Sequence, residues 1–163
     1  MDKAKINPQM VAIAFLYGLK PYIREKWPGL AKELKCRISK AKAKSLTSNT
    51  VKDIVFAAVV ARHFEELDQY MDHKTAEAVR KAIMDQMQLS SPIQVNLVNE
   101  FSHALFKAKK DGNLGVVGIG ERLHDKLIGG KCNEFRTSAM LAALDKFGMW
   151  FWDKFLEDKE IIL

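Results

Sequence analysis

Two Glu-x-x-His pairs, Glu100/His103 and Glu121/His124, place a carboxylate and an imidazole on one face of a helix. That spacing can supply ligands to a paired-metal site, with glutamates such as Glu65 or Glu66 completing the set from other helices. The two pairs stand 21 residues apart with a glycine-rich break between them. Such a site needs ligand-bearing helices on opposite sides of a bundle, and this arrangement does not provide them. Chance pairing on exposed helix faces is the reading, and neither a metal nor a cofactor is expected.

A stronger signal is charge. Residues 32–44 carry Lys32, Lys35, Arg37, Lys40, Lys42 and Lys44 with a single acid, Glu33, a net charge of +5 against +6 for all 163 residues. The remainder is therefore nearly neutral, and a polyanion is the implied partner. At 100° per residue Leu30, Leu34, Ile38 and Ala41 share a quarter of the helical wheel, so the cations would line the outer face of a packed helix. Phosphate contact is the chemistry expected of that face. Without an aromatic anchor on the apolar side, a membrane surface is not.

Residues 116–127, Val-Val-Gly-Ile-Gly-Glu-Arg-Leu-His-Asp-Lys-Leu, supply a second candidate. Their hydrophobic-Gly-hydrophobic-Gly order resembles the hairpin of the helix-hairpin-helix family. The resemblance implies a turn at Gly118, Ile119 and Gly120, whose backbone N–H groups approach a nucleic-acid phosphate, with Arg122 and Lys126 beside it. Glycine allows such an approach, and a helix N-terminus attracts anions. A dinucleotide reading of the same glycines is weaker still, because Leu123 stands where a third glycine is needed and no βαβ unit surrounds it.

Phe147, Trp150, Phe151, Trp152 and Phe155 crowd five aromatics into nine residues. Trp150 and Trp152 must point to opposite sides of a helix, so one of them leaves the core face. Trp150, Trp152 and Phe155 are the candidates for docking another protein, a second copy of the chain, or a nucleobase. The apolar tail Ile161, Ile162 and Leu163 fits the same role. Signals of catalysis are missing: no phosphate-binding loop, no nucleophile elbow, no zinc spacing of Cys and His. The chain is expected not to be an enzyme.

The elements that must position these residues follow from periodicity and punctuation. A first helix spans residues 8–26 and should stop at Trp27-Pro28-Gly29. The basic segment forms the next helix. Residues 46–49 are a polar break, after which Thr50 caps a helix and Asp53 completes a capping box. Residues 54–61 are apolar on every side, as in a central helix, and the pattern continues to Met71. Thr75 caps a short helix carrying Val79, Ile83 and Met87. Ser90-Ser91-Pro92 starts another, ending near Asp111-Gly112. A glycine-rich connection spans 112–120, a short helix runs to Ile128, and the last helix covers about 134–158.

The expected fold is therefore all-α: residues 1–163 as a single-domain bundle of six or seven helices. The longest apolar run, 54–61, is far short of the roughly 20 residues of a membrane span. The apolar stretch 10–17 runs into Lys20, Arg24 and Lys26 without a small-residue cleavage site, so it reads as folded helix rather than signal peptide. Cys36 and Cys132 read as reduced thiols of a cytoplasmic protein, a disulfide between them being the alternative. Composition, charge and motifs together lead to a nucleic-acid-binding protein, DNA or RNA, within a nucleoprotein assembly. The alternative is a protein-interaction module docking through the C-terminal aromatic helix, its basic face meeting an acidic protein partner.

Overall fold

Asn7 opens the first helix: its side-chain Oδ1 accepts a hydrogen bond from the Met10 N–H at 2.9 Å, meeting one of the donors that a helix start leaves free. In the computed structural model, which describes residues 2–34, 46, 48–127 and 134–163 (side chains of 33, 34 and 134–140 excepted), this helix, α1, runs Pro8–Leu34. It does not stop at Trp27-Pro28-Gly29. Pro21 and Pro28 both lie inside it, although each removes a helical hydrogen bond. Packing outweighs that loss: Ile23, Trp27 and Ala31 are buried, and the Trp27 indole N–H donates to the Leu46 carbonyl at 2.7 Å. Leu46, expected in a polar break, is buried as part of this contact.

The following helices are α2 (Asn49–Glu66), α3 (His73–Ser90), α4 (Pro92–Lys110), α5 (Gly115–Leu127) and α6 (Glu134–Asp158). Ser48, not Thr50, caps α2, its hydroxyl accepting from the Val51 N–H at 3.3 Å. The apolar pattern beyond Glu66 ends as a 3-10 turn, Leu67–Gln69, rather than as continuous α-helix. Asp72, not Thr75, caps α3: its carboxylate accepts from both the N–H and the hydroxyl of Thr75. Pro92 occupies the first turn of α4, as the Ser-Ser-Pro signature predicts.

Only the front of the glycine-rich stretch forms a turn. Gly112 takes φ +85°, the left-handed region open to glycine, and ends α4. From Gly115 the chain is helical again. Glycine inside a helix is costly, but here it permits close packing. A Cβ at Gly118 would stand 2.7 Å from that of Ala108, so α4 and α5 meet backbone to backbone.

The described residues thus form an all-α bundle of six helices around one hydrophobic core. Every residue from Val55 to Ala61 on α2 is buried, so α2 is the central helix. α1 packs against α3 and α6, and α4 against α2 and α5. Two short strands were not foreseen. β1 (Ala4–Ile6) pairs in parallel with β2 (Lys159–Ile161), Ala4 opposite Lys159, and joins the start of α1 to the end of α6. Three residues per strand carry too little alternation to be read from sequence. No helix among the described residues is long and apolar enough to cross a membrane.

Candidate nucleic-acid and docking surfaces

Lys32 occupies the last turn of α1 and is exposed. It therefore belongs to the first helix. The other members of the basic segment, Lys35, Arg37, Lys40, Lys42 and Lys44, lie outside the described residues, as do Cys36 and Cys132.

The second candidate site is arranged differently from expectation. Gly118, Ile119 and Gly120 are buried within α5, and no turn exists there to offer N–H groups to a phosphate. Gly118 lies where α5 crosses Ala104 and Ala108 of α4. Arg122 and Lys126 are drawn inward. Glu100 accepts from both Arg122 Nε, at 2.7 Å, and Arg122 Nη2, and pairs with Lys126 Nζ at 2.9 Å. Asp125 takes Arg122 Nη1 at 3.3 Å. Burial alone would raise the Glu100 carboxyl, but hydrogen bonds from Lys126 and Arg122 outweigh it and hold the pKa below its ordinary value.

Glu100, Arg122 and Asp125 line a groove of about 740 Å³ between α4 and α5, together with His103, Lys107, Asp111 and Glu121. Glu100, His103 and Glu121 therefore share a groove, but His124 is buried elsewhere in the α5 packing. Among the described residues no group of three His, Cys, Asp or Glu side chains could hold a metal ion. Glu65 and Glu66 are engaged by Arg62 instead.

The aromatic helix α6 separates its two tryptophans completely. Trp152 is 0% exposed and Trp150 is 59% exposed. Phe155 is buried, its ring 5.9 Å from that of Trp152 and under the Lys159 ammonium at 4.9 Å. Of the three docking candidates, only Trp150 reaches solvent. Its ring lies 6.0 Å from that of Phe147, which packs against Gly18 of α1.

Sequence reasoning missed an interior polar centre. Arg62 on α2 holds three carboxylates: Glu65 at 3.0 Å, Glu66 at 3.1 Å and Asp145 of α6 at 3.1 Å. Lys109 of α4 adds a contact to Glu65 at 3.3 Å. Desolvation, then repulsion by Glu66, pushes the Asp145 carboxyl up to about 8, against the opposing pull of Arg62. One residue away, His63 is stacked on Phe15 at 4.5 Å and accepts the Trp152 indole N–H at 2.5 Å. Burial, with the nearby Arg62 charge second, lowers its pKa to about 3, so it is a neutral core residue. The signal available in sequence was Arg62-His63 following an apolar run, charged residues where only core was due.

No family model, no curated protein and no solved structure matches this chain.

Proposed function

We propose that this chain binds the phosphate backbone of nucleic acid, without reading bases, through the cations of residues 32–44. The observation that carries this reading is a contrast in how positive charge is used. Arg62, Arg80 and Arg122 each grip at least two carboxylates of the same chain, and Lys126 and Lys109 grip one. Their charge is neutralised internally. Residues 32–44 hold six cations against one acid, so most of that charge has no local counterpart. Phosphate neutralisation is the favourable use of such an excess, because it releases condensed counterions.

A titration against single- and double-stranded DNA and RNA over a salt series tests the reading. A log–log slope of roughly −3 to −6 is expected if several of the six cations meet phosphates. The triple variant Lys35→Glu, Arg37→Glu, Lys40→Glu should abolish binding, and unchanged affinity would refute the proposal. Gly118, Gly120, Arg122 and Lys126 are not part of it: both glycines are buried within α5 and the cations are held in ion pairs.

Protein docking through α6 is the second reading, favoured by the exposed Trp150. Self-association seen by sedimentation, and lost in Trp150→Ala, would support it.

A further inference from the structure

Arg24 is the exception among the arginine side chains of the described residues. Arg62, Arg80 and Arg122 each hold two or more carboxylates of this chain, whereas Arg24, exposed on α1, holds none. Lys20 lies one turn before it and Lys32 two turns after it, both exposed and likewise without an ion-pair partner among the described residues. Residues four apart on a helix follow one ridge, so Lys20, Arg24, Pro28 and Lys32 run in line along α1. The adjacent ridge, Leu19, Ile23, Trp27 and Ala31, is buried throughout. That burial fixes the roll of the helix and holds the cations outward over about 18 Å. Between residues 20 and 32 the one acid is Glu25, which pairs with Lys26 at 4.0 Å.

The same stretch lacks what other partners need. A protein contact is built on an apolar centre depleted of charge. The exposed large hydrophobic residues of α1 are Met10, Ile13 and Tyr17, and all precede Lys20. With no such residue between 20 and 32, nothing there enters a lipid surface either. What remains is a straight row of uncompensated positive charge, which suits a linear polyanion.

We infer that Lys20 and Arg24 extend the phosphate-binding surface along the outer ridge of α1, with Lys32 the cation shared with the basic segment. This rests on the nucleic-acid reading above and adds two residues that lie outside the 32–44 cluster. Arg24 supplies a guanidinium fork that matches phosphate oxygens, and Lys20 and Lys32 supply point charges on either side of it.

The probes are a single-stranded thymidine oligonucleotide of about 16 residues and a duplex of the same length, titrated against the full chain over a salt series. The double variant Lys20→Gln, Arg24→Gln should make the log–log slope shallower by about 1.5 to 2. Affinity at about 0.1 M salt should fall ten-fold or more. Neither side chain is buried or paired, so the unfolding midpoint should stay at that of wild type. The control is Lys74→Gln, Lys110→Gln, which removes equal charge from exposed, unpaired lysines of α3 and α4 and should leave the slope unchanged. An unchanged slope in the α1 variant, or an equal change in the control, overturns the inference. Displacement of the oligonucleotide by poly-glutamate of equal charge, at equal concentration, also overturns it and assigns the ridge to an acidic protein. The two proposals fail differently. Binding that is lost in the Lys35, Arg37, Lys40 variant but indifferent to Lys20 and Arg24 removes only the ridge; no binding by the wild-type chain removes both.

Discussion

Trp150 and Trp152 sit two residues apart on α6 and live in different media. Trp152 is enclosed by Phe15, His63, Tyr70, Phe151 and Phe155, with its indole N–H bonded to His63. Trp150 touches Phe147 and then water. The same side chain is a structural keystone on one face of the helix and an exposed ring on the other. A helix turns about 200° in two residues, and nothing about residue type alone selects which face is which.

Substitution should expose the difference at once. Trp152→Ala removes the largest fully buried ring of α6 together with the partner of His63, and should cost about 3–5 kcal/mol in denaturant unfolding. A loss below about 1 kcal/mol would mean that Trp152 is not the anchor described.

The pH dependence sharpens the same interior. His63 is lowered to about 3 in the folded chain, so between that value and its ordinary 6.5 the unfolded chain binds more protons. Stability is thus present above pH 6.5 and falls as pH drops, by roughly 5 kcal/mol in the limit. Asp145 acts oppositely. Its raised pKa means the folded chain binds more protons between 3.8 and about 8, and stability falls as pH rises through that window. The two slopes cancel near pH 5, so unfolding free energy should peak between roughly pH 4 and 6.5. Asp145→Asn should flatten the alkaline limb and extend the acid limb up to about pH 6.5, where His63 then acts unopposed. A profile still falling toward pH 8 in that variant would contradict the assignment.

Smaller effects follow on the ring's own support. Gly148 lies against His63, where an added Cβ would come within 2.6 Å of Nδ1. Gly148→Ala should therefore destabilise by about 1–3 kcal/mol despite its better helix propensity. The smallest change belongs to Trp150→Ala, within about 0.5 kcal/mol of wild type. A cost as large as that of Trp152→Ala would abolish the contrast.

Much of the architecture was legible along the chain. The last helix was placed over 134–158 and found at Glu134–Asp158, and residues 54–61 were correctly read as central. Val79, Ile83 and Met87 are buried on α3 as their spacing indicates. Periodicity of apolar residues is local information, and it suffices for helices longer than about three turns. Capping residues were misplaced by two or three positions at α2 and α3, because Ser48, Thr50, Asp72 and Thr75 are all competent caps.

The candidate sites were less legible. The basic segment and the aromatic cluster follow from composition and spacing alone. Which cations remain free did not, since Arg122 and Lys126 find Glu100 across a helix pair more than twenty residues away.

What the sequence determined by itself is the all-α class, the register of each long helix, the concentration of +5 charge in residues 32–44, and the fact that one tryptophan of α6 must leave the core. Tertiary structure decided the rest. It carried α1 through Pro28, put Gly118 inside a helix instead of a turn, neutralised Arg122, and turned Trp152 inward and Trp150 out. The reason is one of magnitude. Local propensities are worth about 1 kcal/mol or less for most residues, whereas burying an aromatic side chain contributes about 2–3 kcal/mol, and so packing chooses among the conformations that the sequence leaves open.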